Sequence, residues 1–216
     1  GTNSETGQQV TLTCDVPIDI VHYPVKEIEP EDLELELEYK FNYLMVSQWG
    51  PRKNMENAIK WWIEENYDEK VGLVLKTSLK NPKIKCLINL SHGEGFGLPL
   101  FDAACHGLPV ITPGWSGQCD FLYMKQKNGK SKAMFADVNY DIRPVQDFAV
   151  WEGVIQKDSM WCYPHEGHYK IRLRQVRKGH SKWLKKAKTL QAWVLENFNS
   201  DKQHQLFADK VSEGIN

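Results

Sequence analysis

Apolar residues fall along this chain in short runs separated by polar, glycine-bearing joints. Phe41 to Val46, Val71 to Leu75, Cys86 to Leu90 and Val110 to Thr112 are each three to six residues of largely apolar character, the length of buried strands. Between the first two, Met55, Ala58, Ile59, Trp62 and Ile63 recur at helical spacing after Asn54, a good N-cap, and predict a helix of about three turns with one apolar face. Strand, helix, strand is the βαβ unit of a parallel sheet. After Leu90 comes Ser91-His-Gly-Glu-Gly-Phe-Gly97, a glycine-rich turn. Pro99 then fits a helix's first turn and Gly107 its stop, with Pro109 just beyond. The fold class that follows is α/β, a Rossmann-like parallel sheet with helices on both faces and a helical C-terminal tail.

The remaining segments give weaker signals. Ile18, Ile20 and Val21 suit a short strand, and Leu33, Leu35 and Leu37 alternate with glutamates as an edge strand does. Lys125 to Lys132 reads as a polar, mobile loop. Phe135 to Trp151 has strand and turn character, with Trp151 and Trp161 as packing elements. Ser181 is placed to cap a helix whose apolar face is Trp183, Leu184, Ala187, Leu190 and Val194, with lysines 182, 185, 186 and 188 on its solvated side. Asp201 begins a last helix carrying Leu206, Phe207 and Val211. Only eight residues separate Thr77 from Cys86, fewer than the dozen of a usual parallel crossover, so a segment is expected to be absent there.

Composition narrows the classes. At 216 residues, 41% hydrophobic and 25% charged, the chain is an ordinary globular one. A net charge of −1 argues against nucleic acid as a partner. Five cysteines with no CxxC pair, three of them in apolar segments, fit reduced thiols in a cytoplasmic protein. Cys162, His165 and His168 could hold a metal by spacing, but they lack a second ligand pair. The expected metal count is none. His180 and His204, on polar stretches, read as surface residues.

The chemistry concentrates at the ends of strands. Ligands of open parallel sheets bind at the strands' carboxyl ends, where the turn leads into the helix. Gly93, Gly95 and Gly97 let a ligand approach the backbone there, and the helix start favours an anion. Taken singly, such residues are also ordinary turn chemistry, and acids near a helix start are favoured by its dipole. Together, Glu94-Gly-Phe-Gly-Leu-Pro99, Asp102-Ala103 and Gly107-Leu-Pro-Val110 resemble the signature of retaining glycosyltransferases of the GT-B fold, family 4, in which E-G-F-G-x-P-x-x-E-A precedes G-x-P-V.

That resemblance implies a set of roles. Glu94 would contact hydroxyls of the donor sugar, and Asp102, a methylene shorter than the family's Glu, would hold the ribose of the nucleotide. The backbone of Gly95, Phe96, Gly97 and Leu98 would face the sugar and diphosphate. Thr112 to Leu122 is similar to the family's T-x-W-S-G-x-x-D-F-L stretch, which brings Ser116 toward the phosphates. In the family an Arg and a Lys of the first strand's loop grip the diphosphate. Lys53 matches the Lys, Gln48 stands where the Arg belongs, and Arg52 is the substitute candidate, with Lys76 a further basic candidate.

The resemblance further implies three parts: residues 1–38 as the end of an acceptor domain and linker, 39–180 as the donor-binding domain, and 181–216 as C-terminal helices. An acceptor domain of its own would be missing from this chain. A nucleotide diphosphate sugar is the implied donor substrate, with no cofactor and no metal. The acceptor, a glycan, lipid or protein, is unread. The implied location is the cytoplasm or the inner face of a membrane. A nucleotide-sugar binding module without catalysis, or a sugar-nucleotide epimerase on the same scaffold, are the alternative functions.

Overall fold

The computed structural model describes residues 18–26, 36–47, 50–75 and 84–215. They belong to two compact units, one spanning 27–196 and the other combining 1–26 with 197–216.

In the larger unit, β1 (Asn42–Met45) is buried along its whole length and lies between β2 (Gly72–Leu75) and β3 (Ile84–Ile88), parallel to both. Helix α1 (Met55–Asn66) links β1 to β2, and α2 (Leu98–Cys105) links β3 to β4 (Val110–Thr112). After α3 (Cys119–Leu122), β5 (Tyr123–Lys125) and β6 (Ser131–Ala133) form a hairpin where a mobile loop was expected; its antiparallel register pairs Met124 with Lys132. Strand β7 (Ala136–Asp137) completes a five-stranded parallel sheet of order β2-β1-β3-β4-β7. A second hairpin, β8 (Tyr140–Pro144) with β9 (Met160–Pro164), leads into α4 (Glu166–Lys178) and α5 (His180–Asn197). This is the expected α/β, Rossmann-like class.

Alternation along the strands divides the core. Tyr43, Met45, Cys86, Ile88 and Ile111 share a cluster with Met55 and Ala58 of α1 and Tyr169, Leu173 and Val176 of α4, so both helices cover one face. Leu44, Leu87 and Val110, one residue out of phase, serve the opposite face, where α2 buries Leu100, Phe101, Ala103 and Ala104. The buried Tyr43 hydroxyl donates to the Leu173 carbonyl at 3.0 Å and fixes α4 over the central strand. Lys170, Arg174 and Arg177 of α4 pair with Glu64, Glu65 and Glu69 across the surface; such exposed pairs set register and add little stability.

Several details depart from the sequence expectations. Strands β2 and β3 lie on either side of β1, and residues 76–83, the place of the expected missing segment, are outside the described set. Ile63 is 50% exposed, and Trp151, expected to pack, is 66% exposed. Asn54 does precede α1 but in left-handed conformation, its side chain donating to the Leu90 carbonyl instead of capping. Ser181 lies inside α5, which begins at His180, and Leu184 is not buried with Ala187, Leu190 and Val194. His180 is half-buried, edge-on to Phe41 at 5.5 Å. The alternating Leu33 and Leu35 fall outside the described residues.

In the smaller unit, residues 18–26 form no strand, and Ile18 and Ile20 are exposed. The Val25 amide donates to the Phe198 carbonyl, and the His22 ring tilts against Phe198 at 5.2 Å. Asn199 accepts from the amides of Asp201 and Lys202 and so caps α6 (Ser200–Ile215). Among the described residues, no helix is long and apolar enough to cross a membrane.

Candidate functional site

The carboxyl ends of β1 and β3 meet at Glu94. Beyond β1 the chain makes a single 3-10 turn, Pro51–Lys53, and beyond β3 it runs through Asn89 and Ser91 into the glycine turn. The His92 amide donates to the Arg52 carbonyl at 2.7 Å, which ties the two loops together through the backbone.

Four side chains then converge on one carboxylate. Lys53 Nζ lies 2.7 Å from both Glu94 oxygens. Ser91 Oγ donates to Oε1 at 2.8 Å and Asn89 Nδ2 to the same oxygen at 3.2 Å. Arg52, a partly exposed side chain, reaches Oε2 at 3.5 Å and also donates to the Gly93 carbonyl. Glu94 itself is only 7% exposed. Burial by itself would push its carboxyl group up, but the hydrogen bonds from Lys53, Ser91 and Asn89, with the Lys53 charge, outweigh that and hold it below its ordinary 4.5. Oε1 is thus anchored by neutral donors as well as by lysine, whereas Oε2 is held by cations alone.

The turn after β4 braces this arrangement. Ser116, at a φ of 71°, donates through its hydroxyl to the Glu94 carbonyl at 2.6 Å and accepts from the Glu94 amide at 3.3 Å. The Gly117 amide adds a bond to the same carbonyl at 3.0 Å. A Cβ at Gly117 would stand 1.9 Å from the Gly95 oxygen, so the close approach of the two turns requires glycine. Asp137, from the end of β7, accepts from the Gly114 amide at 2.9 Å and from the Tyr123 hydroxyl at 3.3 Å.

Of the residues predicted for the site, the fold brings Lys53, Arg52, Glu94 and Ser116 together. Gly97, at a φ of 87°, starts α2 in the left-handed region that glycine favours. Gly95 and Leu98 are exposed beside it. Phe96 packs its ring against Phe101 and Phe121 at 5.0 Å each, so its side chain is a core element. Asp102 is exposed on α2 and is not one of the four side chains on the Glu94 carboxylate. Lys76 lies outside the described residues.

Sequence reasoning missed Asn89, Ser91, His92 and Asp137. The available signal was polar residues just beyond apolar strand ends. Cys162, His165 and His168 do not converge: the Cys162 thiol is buried and pushed up to about 12, His165 pairs with Asp141, and His168 Nδ1 accepts from the Asn139 amide. Among the described residues, no three His, Cys, Asp or Glu side chains group as a metal site.

No protein-family model matches this chain, and no curated protein sequence matches it. Solved structures do share its fold. A TarM mutant from S. aureus, in complex with fondaparinux, alpha-GlcNAc-glycerol and UDP, aligns over 91% of this chain at 12% identity and a TM-score of 0.56. Sucrose-phosphate synthase from Thermosynechococcus elongatus aligns over 80% at 12% identity and 0.53. Anabaena HepE, in complex with UDP and glucose, aligns over 80% at 14% identity and 0.51. The chain spans 40%, 45% and 48% of those proteins, less than half of each. At such identities the likeness is one of fold.

Proposed function

We propose that this chain is the donor-binding half of a glycosyltransferase, transferring a sugar from a nucleotide diphosphate sugar with retention of configuration. The observation that carries the reading is the buried Glu94 carboxylate bridged by Lys53 at the carboxyl edge of a parallel sheet. The GT-B signature resemblance supports it, as does a fold shared with structures that hold UDP.

In this reading Lys53 and Arg52 leave the carboxylate for the donor diphosphate, whose charge is the stronger attractor. Ser91 and Asn89 keep Oε1 in place, and Oε2 is released toward the hydroxyls of the sugar. Asp102 takes the ribose, and the backbone of Gly95 to Leu98, with Ser116, lines the diphosphate and sugar. Catalysis is then positioning plus stabilisation of the leaving diphosphate by fixed positive charge. No cofactor or metal is called for. The acceptor, a glycan, lipid or protein, would be held by a further domain, and the assembly would work in the cytoplasm or at the inner face of a membrane.

Calorimetric titration with UDP, GDP and ADP tests this. One nucleotide is expected to bind, and Lys53→Ala to weaken it about tenfold or more, the loss of one charge-assisted contact. A folded chain that binds none of the three refutes the reading. Binding without transfer by the longer protein would instead leave a nucleotide-sugar binding module. Interconversion of the donor sugar would indicate an epimerase.

A further inference from the structure

A cavity of about 430 Å³ lies between α1, the His92 turn, the β8–β9 hairpin and the start of α4. Its walls include Asn57, Trp61, His92, Arg143, Gln146 and Glu166, and neither Lys53 nor Glu94 is among them. The size falls within the roughly 300–1,000 Å³ of small-molecule sites. Nothing in the proposed donor chemistry uses it.

Two of its polar groups are unspent, a buried imidazole and an exposed guanidinium. His92 is 3% exposed, its ring stacked on Trp161 at 5.2 Å and tilted against Tyr163 at 4.6 Å. Its Nδ1 lies 2.5 Å from the Cys162 carbonyl, and a carbonyl only accepts, so Nδ1 carries the proton. Nε2 therefore presents a lone pair, and among the described residues it has no partner. Burial, aided by the Arg143 charge and against the pull of the Cys162 carbonyl, lowers the imidazole's affinity for a second proton. The neutral acceptor form is the resting one. Arg143 is held 4.5 Å over the Tyr163 ring and, among the described residues, pairs with no carboxylate. Glu166, the acid on this wall, is already engaged by Lys170 at 2.6 Å.

A buried acceptor beside an unpaired guanidinium asks for a ligand with both a hydroxyl to donate and an anionic group. We infer that this cavity is a binding site for a small hydroxylated anion, a sugar phosphate or sugar carboxylate, read by His92 Nε2 through a hydroxyl and by Arg143 through the charge. The Asn57 and Gln146 amides serve its remaining hydroxyls, and Trp61 supplies an apolar wall. This site stands apart from the nucleotide reading and survives its failure.

The test is titration of the full chain with glucose 6-phosphate and with glucuronate, beside glucose and inorganic phosphate, followed by calorimetry and by the imidazole resonances of histidine-labelled protein. One of the two hydroxylated anions is expected to bind at least tenfold more tightly than glucose or phosphate and to shift the His92 resonances. Arg143→Gln, at an exposed position, is expected to keep the fold and weaken that binding about tenfold. Phosphate binding as tightly as the sugar phosphate would overturn the hydroxyl reading. Absence of binding, unmoved His92 resonances, or affinity unchanged by Arg143→Gln would overturn the site.

Discussion

Replacing Lys53 by Met is the sharpest probe of the Glu94 cluster, because it removes the charge and keeps most of the side-chain volume. The carboxylate left behind is 7% exposed, and it would then rest on Ser91, Asn89 and a distant Arg52. Removing one partner of a buried pair costs about 3–5 kcal/mol. Lys53 is itself 17% exposed and two neutral donors remain, so about 2–3 kcal/mol is expected at pH 7. The sign with pH follows from burial. In the wild type the depressed carboxyl group stabilises the fold above its ordinary 4.5, a contribution lost as pH falls through the folded-state value. In Lys53→Met, burial dominates and the group rises, so the variant's deficit shrinks on acidification, by at most about 1.4 kcal/mol per pH unit. Urea unfolding at pH 7, 6 and 5 reads this directly, with a midpoint about 1 M lower at pH 7 and a narrowing gap below it. The double variant Lys53→Met/Glu94→Gln, with no buried charge, is expected to recover most of the loss. Equal stability of Lys53→Met and wild type at pH 7, or a deficit constant from pH 7 to 5, would refute the argument.

Gly117→Ala forces a Cβ to within 1.9 Å of the Gly95 oxygen, so the two turns must separate; a loss of about 1–3 kcal/mol is expected by thermal unfolding, with weaker nucleotide binding. His92 is held neutral in the fold, so the unfolded chain binds more protons below pH 6.5 and stability falls as pH drops through that range. His92→Phe is expected to flatten that slope in urea midpoints measured from pH 7 to 5. Tyr43→Phe removes the hydroxyl's bond to the Leu173 carbonyl, which keeps its donor within α4, and is expected to lower stability by about 0.5–1.5 kcal/mol in the same assay. Cys86 and Cys162 are buried to 0% exposure, so peptide mapping after thiol labelling should find them unmodified until denaturant is added.

How much was legible differs from residue to residue. That Lys53 and Ser116 come together at Glu94 was readable from the strand-end location of their loops and from the signature resemblance. Asn89 and Ser91 escaped because an amide and a hydroxyl after a strand carry no signal until the carboxylate they serve is placed beside them. His180 sits among lysines in sequence yet packs on Phe41, and Trp151, a large apolar residue, points to water. Polarity of neighbours along the chain does not report neighbours in space.

By itself the sequence determined the α/β class, the four central strands and the glycine turn, because those depend on local periodicity and on backbone angles open mainly to glycine. Tertiary structure decided the rest. It put β1 between β2 and β3, which brought the Pro51–Lys53 turn to the carboxyl end of β3 and paired residues 41 positions apart in one buried ion pair. It also folded the β8–β9 hairpin back so that Cys162 fixes the His92 tautomer across 70 residues. Both outcomes come from long-range packing, where hydrophobic burial selects the arrangement of elements and the polar groups take the partners that arrangement supplies.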